Sequence, residues 1–398
     1  MAKSGLAAIP RTVWTLGVVS LFMDTSSELI HSLMPVFLVS TLGASVSMVG
    51  LIEGVGDATA AITKVFSGWI SDRLGKRKPL VALGYGLAAL TKPVFPLAVT
   101  PYEVLAARFV DRVGKGFRGA PRDALIADVT PPAVLGAAFG LRQALDTAGA
   151  FAGPLMALGL MALLANNIRA VFWWAVVPGA VAVILVILGV EEPKASKASK
   201  ASATGAKPPI GWRQLGALGS AFWTVTAIGA AFSLASFSQA FLILRARDAG
   251  LSLALTPMVF IVMNLVYALA ATPAGELSDR IDRRWVLAAG LLVLILADLV
   301  LARSHTLLLV FVGVALWGLF MGLTQGLLSA LVAETAPAEA RGTAFGVFNL
   351  AAGAALLGAS GLAGVVWDRF GSAATFEVGG GFAALALLGL GLTRPRRS

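Results

Sequence analysis

Residues 68–78 read GWISDRLGKRK, and residues 275–284 read GELSDRIDRR. Gly68, Asp72 and Arg73 thus return as Gly275, Asp279 and Arg280, 207 positions later. A second pair, GAAFG at 136–140 and GTAFG at 342–346, is displaced by 206. Two matches at nearly one offset mark an internal duplication. Outward from these charged stretches the chain is apolar, in segments at about 13–40, 46–70, 79–99, 102–126, 134–164 and 168–190, then 214–245, 252–277, 285–303, 306–332, 340–366 and 373–392. Each copy therefore holds six.

Composition names the solvent. Of 398 residues 58% are hydrophobic and 13% charged, about half the charged share of a soluble domain, which leaves too little polar surface to face water. Segments of this length suit helices, since roughly 20 apolar residues cross a bilayer, whereas a membrane strand needs about 9–11. The expectation is an all-α membrane protein of two six-helix bundles, 1–190 and 214–398, related as parallel repeats by a pseudo-two-fold axis. In transporters that arrangement places the substrate site between the repeats near the midplane. The absence of cysteine excludes a disulfide scaffold and a Cys-ligated metal site. Residues 1–11 lack a small-residue cleavage site, and the first segment is too long for a signal peptide, so the N-terminus is expected to be retained.

Between the bundles, 191–213 contains the run KASKASK at 194–200, which cannot bury a core and reads as a solvated linker. The excess of 31 Lys+Arg over 21 Asp+Glu is concentrated on that same side of the membrane: Lys3, Arg11, Arg73, Lys76, Arg77, Lys78, the linker lysines, Arg280, Arg283, Arg284, Arg394, Arg396 and Arg397. The opposite connections at 42–47 and 98–103 carry almost no cations. The positive-inside rule then puts linker and both termini in the cytoplasm of a multi-pass protein, in the plasma or bacterial inner membrane. Anionic lipid is a sufficient partner for these cations, and nucleic acid is not needed.

A second population of charge lies inside the segments, where an ionisable side chain costs on the order of 2.5–3.5 kcal/mol and normally faces protein or a wet cavity. Asp24, Glu28 and His31 stand within about a 60° arc of one helix, and Glu53, Asp57 and Lys64 within about 40° of the next. Arg108, Asp111, Arg112, Lys115, Arg118 and Arg122 share about 120° of the fourth segment. Lys92, Arg142 and Asp146 add to the set. The matching positions of the second half are neutral: Asp24 meets Ala231, Glu28 Ala235, Glu53 Phe260, Asp57 Asn264, Arg118 Thr324 and Asp146 Ala352. The scaffold does not require these charges, so an ion or substrate path in the first bundle is expected, against the alternative of structural ion pairing.

Burial disfavours a charged carboxylate and a nearby arginine favours it, so a carboxylate whose surroundings change can load and unload a proton. Asp24, Glu28, Glu53, Asp57 and Asp146 are candidates, with His31, whose ring titrates near neutral pH. Arg108, Arg112, Lys115 and Arg118 are candidates for binding an anionic group. The alternative for the arginines is pairing with Asp123, Asp146 or the acids of the first two segments. Gln239, Asn264, Gln325 and Asn349 offer a neutral counter-wall.

Gly68-x-x-x-Asp72-Arg73-x-Gly75-Lys76-Arg77-Lys78 resembles the signature loop between the second and third helices of the major facilitator superfamily, and the resemblance covers essentially the whole chain. The second copy has Asp282 in place of the second glycine. Arg108 falls where the family's buried arginine motif would, with Asp111 and Arg112 in place of Gln-Gly. Gly140, Gly149, Gly153 and Pro154 match the motif associated with antiporters, although Ala157-Leu158 replaces its closing glycines. The resemblance implies a gate built from Gly68, Asp72, Arg73, Gly75 and Arg77, with Asp279 and Arg280 in the second copy and Gly149, Gly153 and Pro154 on the fifth helix. Asp72 would latch against the helix start near Glu339 to Gly342, a favourable charge–dipole contact. Small residues at 140, 149 and 153 are expected to allow close helix packing.

These readings favour a monomeric secondary active transporter without cofactor, moving a small organic solute by alternating access, with proton-coupled export as the first expectation. Uptake by proton symport of a small anionic nutrient is the alternative, and a non-transporting receptor a distant one. No nucleophile elbow, HExxH or phosphate loop points to an enzyme.

Overall fold

The computed structural model describes residues 8–74, 76–191, 218–336 and 341–392. Gly75, most of the linker, Lys3, the terminal arginines, the side chains of Asp72 and Asp279, and, at the expected latch partner, Glu339 and Ala340 with the side chain of Arg341 lie outside the described residues. Every element is helical: α1 (Arg11–His31), α2 (Met34–Val36) running into a π turn at Phe37–Thr41, α3 (Val46–Leu74), α4 (Lys78–Thr91), α5 (Val94–Leu97), α6 (Pro101–Val129), α7 (Leu135–Leu163), α8 (Ile168–Trp174), α9 (Val176–Gly189), α10 (Ser220–Ala235), α11 (Ala240–Asp248), α12 (Met258–Arg280), α13 (Arg283–Arg303), α14 (Leu307–Thr335) and α15 (Arg341–Leu392). Among the described residues there is no strand. Hydrocarbon offers the backbone no partner, and a helix satisfies its own amides.

Nine helical runs among the described residues are long and apolar enough to cross a membrane, where the sequence leads one to expect twelve. The difference has two physical sources. Helix α6 carries too much charge to be among the nine, and α1 is too polar, with Asp24, Glu28 and its Ser and Thr residues lowering its hydropathy. The 52-residue α15 counts once although Gly371, at φ 88°, breaks it; that left-handed conformation is open to glycine at no steric cost.

Two compact units form, one from Met1–Leu33 with Thr59–Pro209, the other from Met34–Ala58 with Ile210–Ser398. The second unit thus includes 34–58, which the sequence division at the linker assigns to the first half. A cap is one part of the attachment: the Asp368 carboxylate accepts hydrogen bonds from the backbone N–H of Val46 at 3.0 Å and Ser47 at 2.9 Å, satisfying free amides at the start of α3, and Gly50 and Gly54 let α3 lie close on α15 at Ser360 and Leu357.

Each unit has its own core. In the first, Val13, Leu16, Val19 and Met23 of α1 pack with Val81 and Tyr85 of α4, Leu125 of α6 and Val186 of α9. In the second, Phe237 touches the rings of Phe241, Trp317 and Phe376 at centroid distances of 5.2, 5.7 and 5.5 Å. Leu90, Leu163, Leu188 and Leu308 are at least 75% exposed, a surface suited to lipid.

The duplication is visible inside each unit, at an offset of 206. Arg77 pairs with Asp128 at 3.1 Å, and Arg283 pairs with Glu334. Thr100 caps α6 in a capping box with Glu103, and Thr306 caps α14 through Leu309 N–H. Gly84 brings α4 against α6, where an added Cβ would lie 2.6 Å from Gly114 O and 2.7 Å from Arg118 N. Its counterpart Gly290 brings α13 against the side chain of Thr324. A side chain can turn aside and a backbone cannot, so Gly84→Ala is expected to cost about 1–3 kcal/mol by overpacking and Gly290→Ala less. Thermal unfolding of the two purified variants checks the order, and equal losses would contradict it.

Candidate functional site

Helix α6 wears its charge inside out. Arg108, Asp111, Arg112, Arg118 and Arg122 are each less than a tenth exposed, whereas Phe109 and Val110 are exposed at 47% and 37%. A helix of this kind is stable only if neighbouring helices bring counter-charges, and in the first unit α1, α4 and α7 do so.

At one level Lys92, which closes α4, donates to Asp111 Oδ1 at 2.8 Å and to Ser27 Oγ on α1 at 3.0 Å. Arg112 Nε stands 3.7 Å from Asp111 Oδ2, so one carboxylate serves two cations. At the next level Arg118 Nη2 lies 3.6 Å from Asp24 Oδ1 of α1 and its guanidinium covers the Tyr85 ring at 4.6 Å, a favourable cation–π placement. Arg122 Nη1 donates to Ser20 Oγ at 2.6 Å, and Ser20 shares a 3.0 Å hydrogen bond with Tyr85 OH.

Arg122 then enters a closed ring of alternating charge. It reaches Asp123 Oδ1 at 3.3 Å and Asp146 Oδ1 at 3.6 Å, while Arg142 of α7 reaches the same two carboxylates at 2.8 Å each. Each acid of the ring sees two arginines and each arginine two acids.

Glu28 and His31 face each other on α1 at 3.3 Å. Lys115 is exposed on α6 and lies in the field of Arg112, Asp24, Glu28 and Arg118. Of the sequence-expected proton carriers, then, Asp24 and Asp146 join the arginine network and Glu28 pairs with His31. Glu53, only 1% exposed, and the half-buried Asp57 belong to the part of α3 that folds with the second unit. Asn264 and Asn349 are half-buried on α12 and α15, and Gln325 is exposed on α14. Gln239 Nε2 approaches Met321 Sδ at 3.4 Å.

Among the expected gating residues, a Cβ at Gly68 would meet Ala120 Cβ at 3.3 Å. Arg73 lies over the Trp69 ring at 5.5 Å, Arg77 holds Asp128 and Ser71, and Arg280 is exposed at the end of α12. Gly149 and Gly153, beside the buried Pro154, let α7 close on α1, where added Cβ atoms would come 2.5 Å from Leu21 O and 2.7 Å from Thr25 O. Gly140 does not share that role. A Cβ there would meet nothing within 4 Å, because Gly140 lies on the exposed face of α7 while Ala138, beside it, is buried in the core.

Sequence reasoning missed Ser20, Ser27 and Tyr85, which supply the hydroxyls of the network, and it missed two buried ionisable side chains in the second unit. Arg245 is 7% exposed and donates to Leu301 O, Ser304 O and Asp248. Asp298 is fully buried and accepts a hydrogen bond from the indole of Trp317 at 3.0 Å. The first half therefore holds most of the buried charge but not all of it. The duplication offset would have revealed Asp298, since it stands 206 residues after Lys92.

Removing one partner of a buried pair leaves a bare charge and costs about 3–5 kcal/mol, whereas replacing both by apolar residues of similar size is often neutral. Lys92→Ala is expected to destabilise the protein by about that amount, and Lys92→Met with Asp111→Leu to recover only part of it, because the buried Arg112 loses the same carboxylate. Thermal unfolding of single and double variants measures both, and additive losses would refute the pairing.

A family model described as Major Facilitator Superfamily matches residues 16–266 and again 226–398. An uncharacterized MFS-type transporter of Methanocaldococcus jannaschii is 32% identical over 368 residues, covering 90% of this chain and 89% of its own. The quinolone resistance protein NorA of Staphylococcus aureus is 28% identical over 168 residues, 42% of each chain. In fold, the chain is similar to a crystallised POT family transporter in complex with 5-aminolevulinic acid, with a TM-score of 0.78 at 14% identity over 97% of this chain and 98% of that one.

Proposed function

The chain belongs to the major facilitator superfamily of membrane transporters, and from that membership we propose that it is a secondary active transporter working by alternating access, coupled to protons and exporting a small organic solute. The observation that carries the reading is the buried ion network of α1, α4, α6 and α7, whose equivalents at Ala231, Thr324 and Ala352 are neutral. A scaffold that folds once without these charges has another reason to keep them. Export is supported by the likeness to a quinolone resistance protein.

In this reading α1 and α6 also cross the membrane and α15 crosses twice, which makes twelve crossings with both termini cytoplasmic. The protein acts as a monomer in the inner membrane. Arg108, Arg112, Lys115 and Arg118 contact the solute, with Asn264, Gln325 and Asn349 as neutral hydrogen-bonding groups. Asp24, Glu28, His31, Glu53, Asp57 and Asp146 are the groups through which protons pass. The 68–78 loop and its second copy gate the cytoplasmic side, with Gly149, Gly153 and Pro154 setting the packing of α7. The surplus of cations along α6 favours a second reading, proton symport of a small anionic solute inward.

Reconstitution in liposomes with an imposed pH gradient, against a panel of quinolones, cationic dyes and small carboxylates, separates the two by the direction and charge of the solute moved. Folded protein that moves none of them along the gradient contradicts both. Glu53→Gln and Asp57→Asn are expected to abolish gradient-driven accumulation and to leave solute counterflow intact. If both concentrate solute as the wild type does, coupling belongs to other carboxyls.

A further inference from the structure

The offset that relates Arg77 to Arg283 also relates Lys92 to Asp298 and Asp111 to Trp317. In the first unit the two positions form an ion pair at 2.8 Å. In the second, an acid stands where the cation was, and its partner is the uncharged indole of Trp317, donating to Asp298 Oδ1 at 3.0 Å. The carboxyl has moved to the other helix and lost its counter-ion.

Its second oxygen is the telling one. Oδ2 is buried and has no hydrogen-bond partner. A Cβ on Gly379 of α15 would lie 2.9 Å from Oδ2 and 2.6 Å from Phe237 Cε1, so on the Gly379 side there is no room for a methyl group beside Oδ2. Phe237 and Trp317 stand at this place, and their rings pack on one another at 5.7 Å, with Phe376 on the far side of Phe237 at 5.5 Å. The charged side chains on the elements packed against α13 include Glu276 and Arg280 on α12, Glu334 on α14, Asp368, Arg369 and Glu377 on α15, and Arg245 with Asp248 on α11, where the Arg245 guanidinium donates to Leu301 O and Ser304 O at the end of α13; the hydrogen bond that reaches the Asp298 carboxyl is the one from Trp317.

A full negative charge in such a place has neither solvent nor counter-ion, and the cost of that is far greater than the cost of one unsatisfied hydroxyl. A hydrated cation does not fit, nor does a water able to find several polar partners. We propose that Asp298 is a proton-binding site of the second unit, its carboxyl held as the neutral acid between Trp317 and Phe237. The proton leaves only when α13, α14 and α15 part enough to admit water, so occupancy of the site follows the internal packing of this unit. The proposal is independent of the carboxylates assigned above to coupling.

Infrared spectroscopy of the purified protein at neutral pH tests it without any solute. The wild type is expected to show a protonated-carboxyl C=O band, slow to shift in deuterium oxide, that is lost in Asp298→Asn. Trp317→Phe is expected to keep that band and move it, because the hydrogen bond to Oδ1 is gone. A difference spectrum between wild type and Asp298→Asn containing only ionised-carboxylate bands would overturn the proposal. Should Asp298→Asn fail to fold, a Trp317→Phe spectrum in which no protonated-carboxyl band moves would overturn it equally. Either failure leaves the transporter reading untouched.

Discussion

An ion inside a hydrocarbon layer has to bring its counter-ion with it, and the first unit is arranged around that requirement. Helix α6 buries its arginines and turns Phe109 and Val110 outward, so α1, α4 and α7 must supply Asp24, Lys92, Ser20, Tyr85, Arg142 and Asp146 at fixed heights along it. Gly84, Gly149 and Gly153 then become necessary, because salt bridges of about 3 Å form only if the helix axes come close. Ionic pairing and small-residue packing are two halves of one constraint.

The second unit meets the same geometry by other means. Its helices cross at Gly290 and are tied at their ends by Arg283 with Glu334 and by the Thr306 cap, yet its interior is filled by phenylalanine and tryptophan rather than by ion pairs. Aromatic rings pack without the desolvation penalty that charges carry. Two units with shared local packing therefore differ in what fills their interiors, chiefly ion pairs in one and chiefly aromatic rings in the other.

Much of this is legible in the chain. The GWISDRLGKRK stretch and its copy give the duplication, and the spacing of Arg108 to Arg122 gives a charged stripe that lipid cannot face. What the stripe does not give is partners. Arg118 choosing Asp24, or Arg122 and Arg142 sharing Asp123 and Asp146, depends on helix heights that no single segment encodes. Residues 34–58 join the second unit through the Asp368 cap, more than 300 residues away, and through close approach of α3 to α15 at Gly50, Gly54 and Gly364, and local pattern is silent about contacts that distant. Asp298 escapes notice for the opposite reason: one acid in an apolar run has no periodicity, and only its alignment with Lys92 makes it conspicuous. Gly371 hides in plain view, since a break in a helix and a glycine inside one look alike until φ is known.

If the first unit's buried charges are kept for transport and not for folding, giving that unit its sibling's residues is the most direct test. Asp24→Ala with Arg118→Thr installs the neutral pair found at Ala231 and Thr324. Melting temperature and pH-gradient-driven flux of a solute that the wild type moves are then recorded on one preparation. The prediction is a protein that melts within a few degrees of wild type and transports nothing. Undiminished flux, or loss of the fold, would show that the pair serves something other than transport.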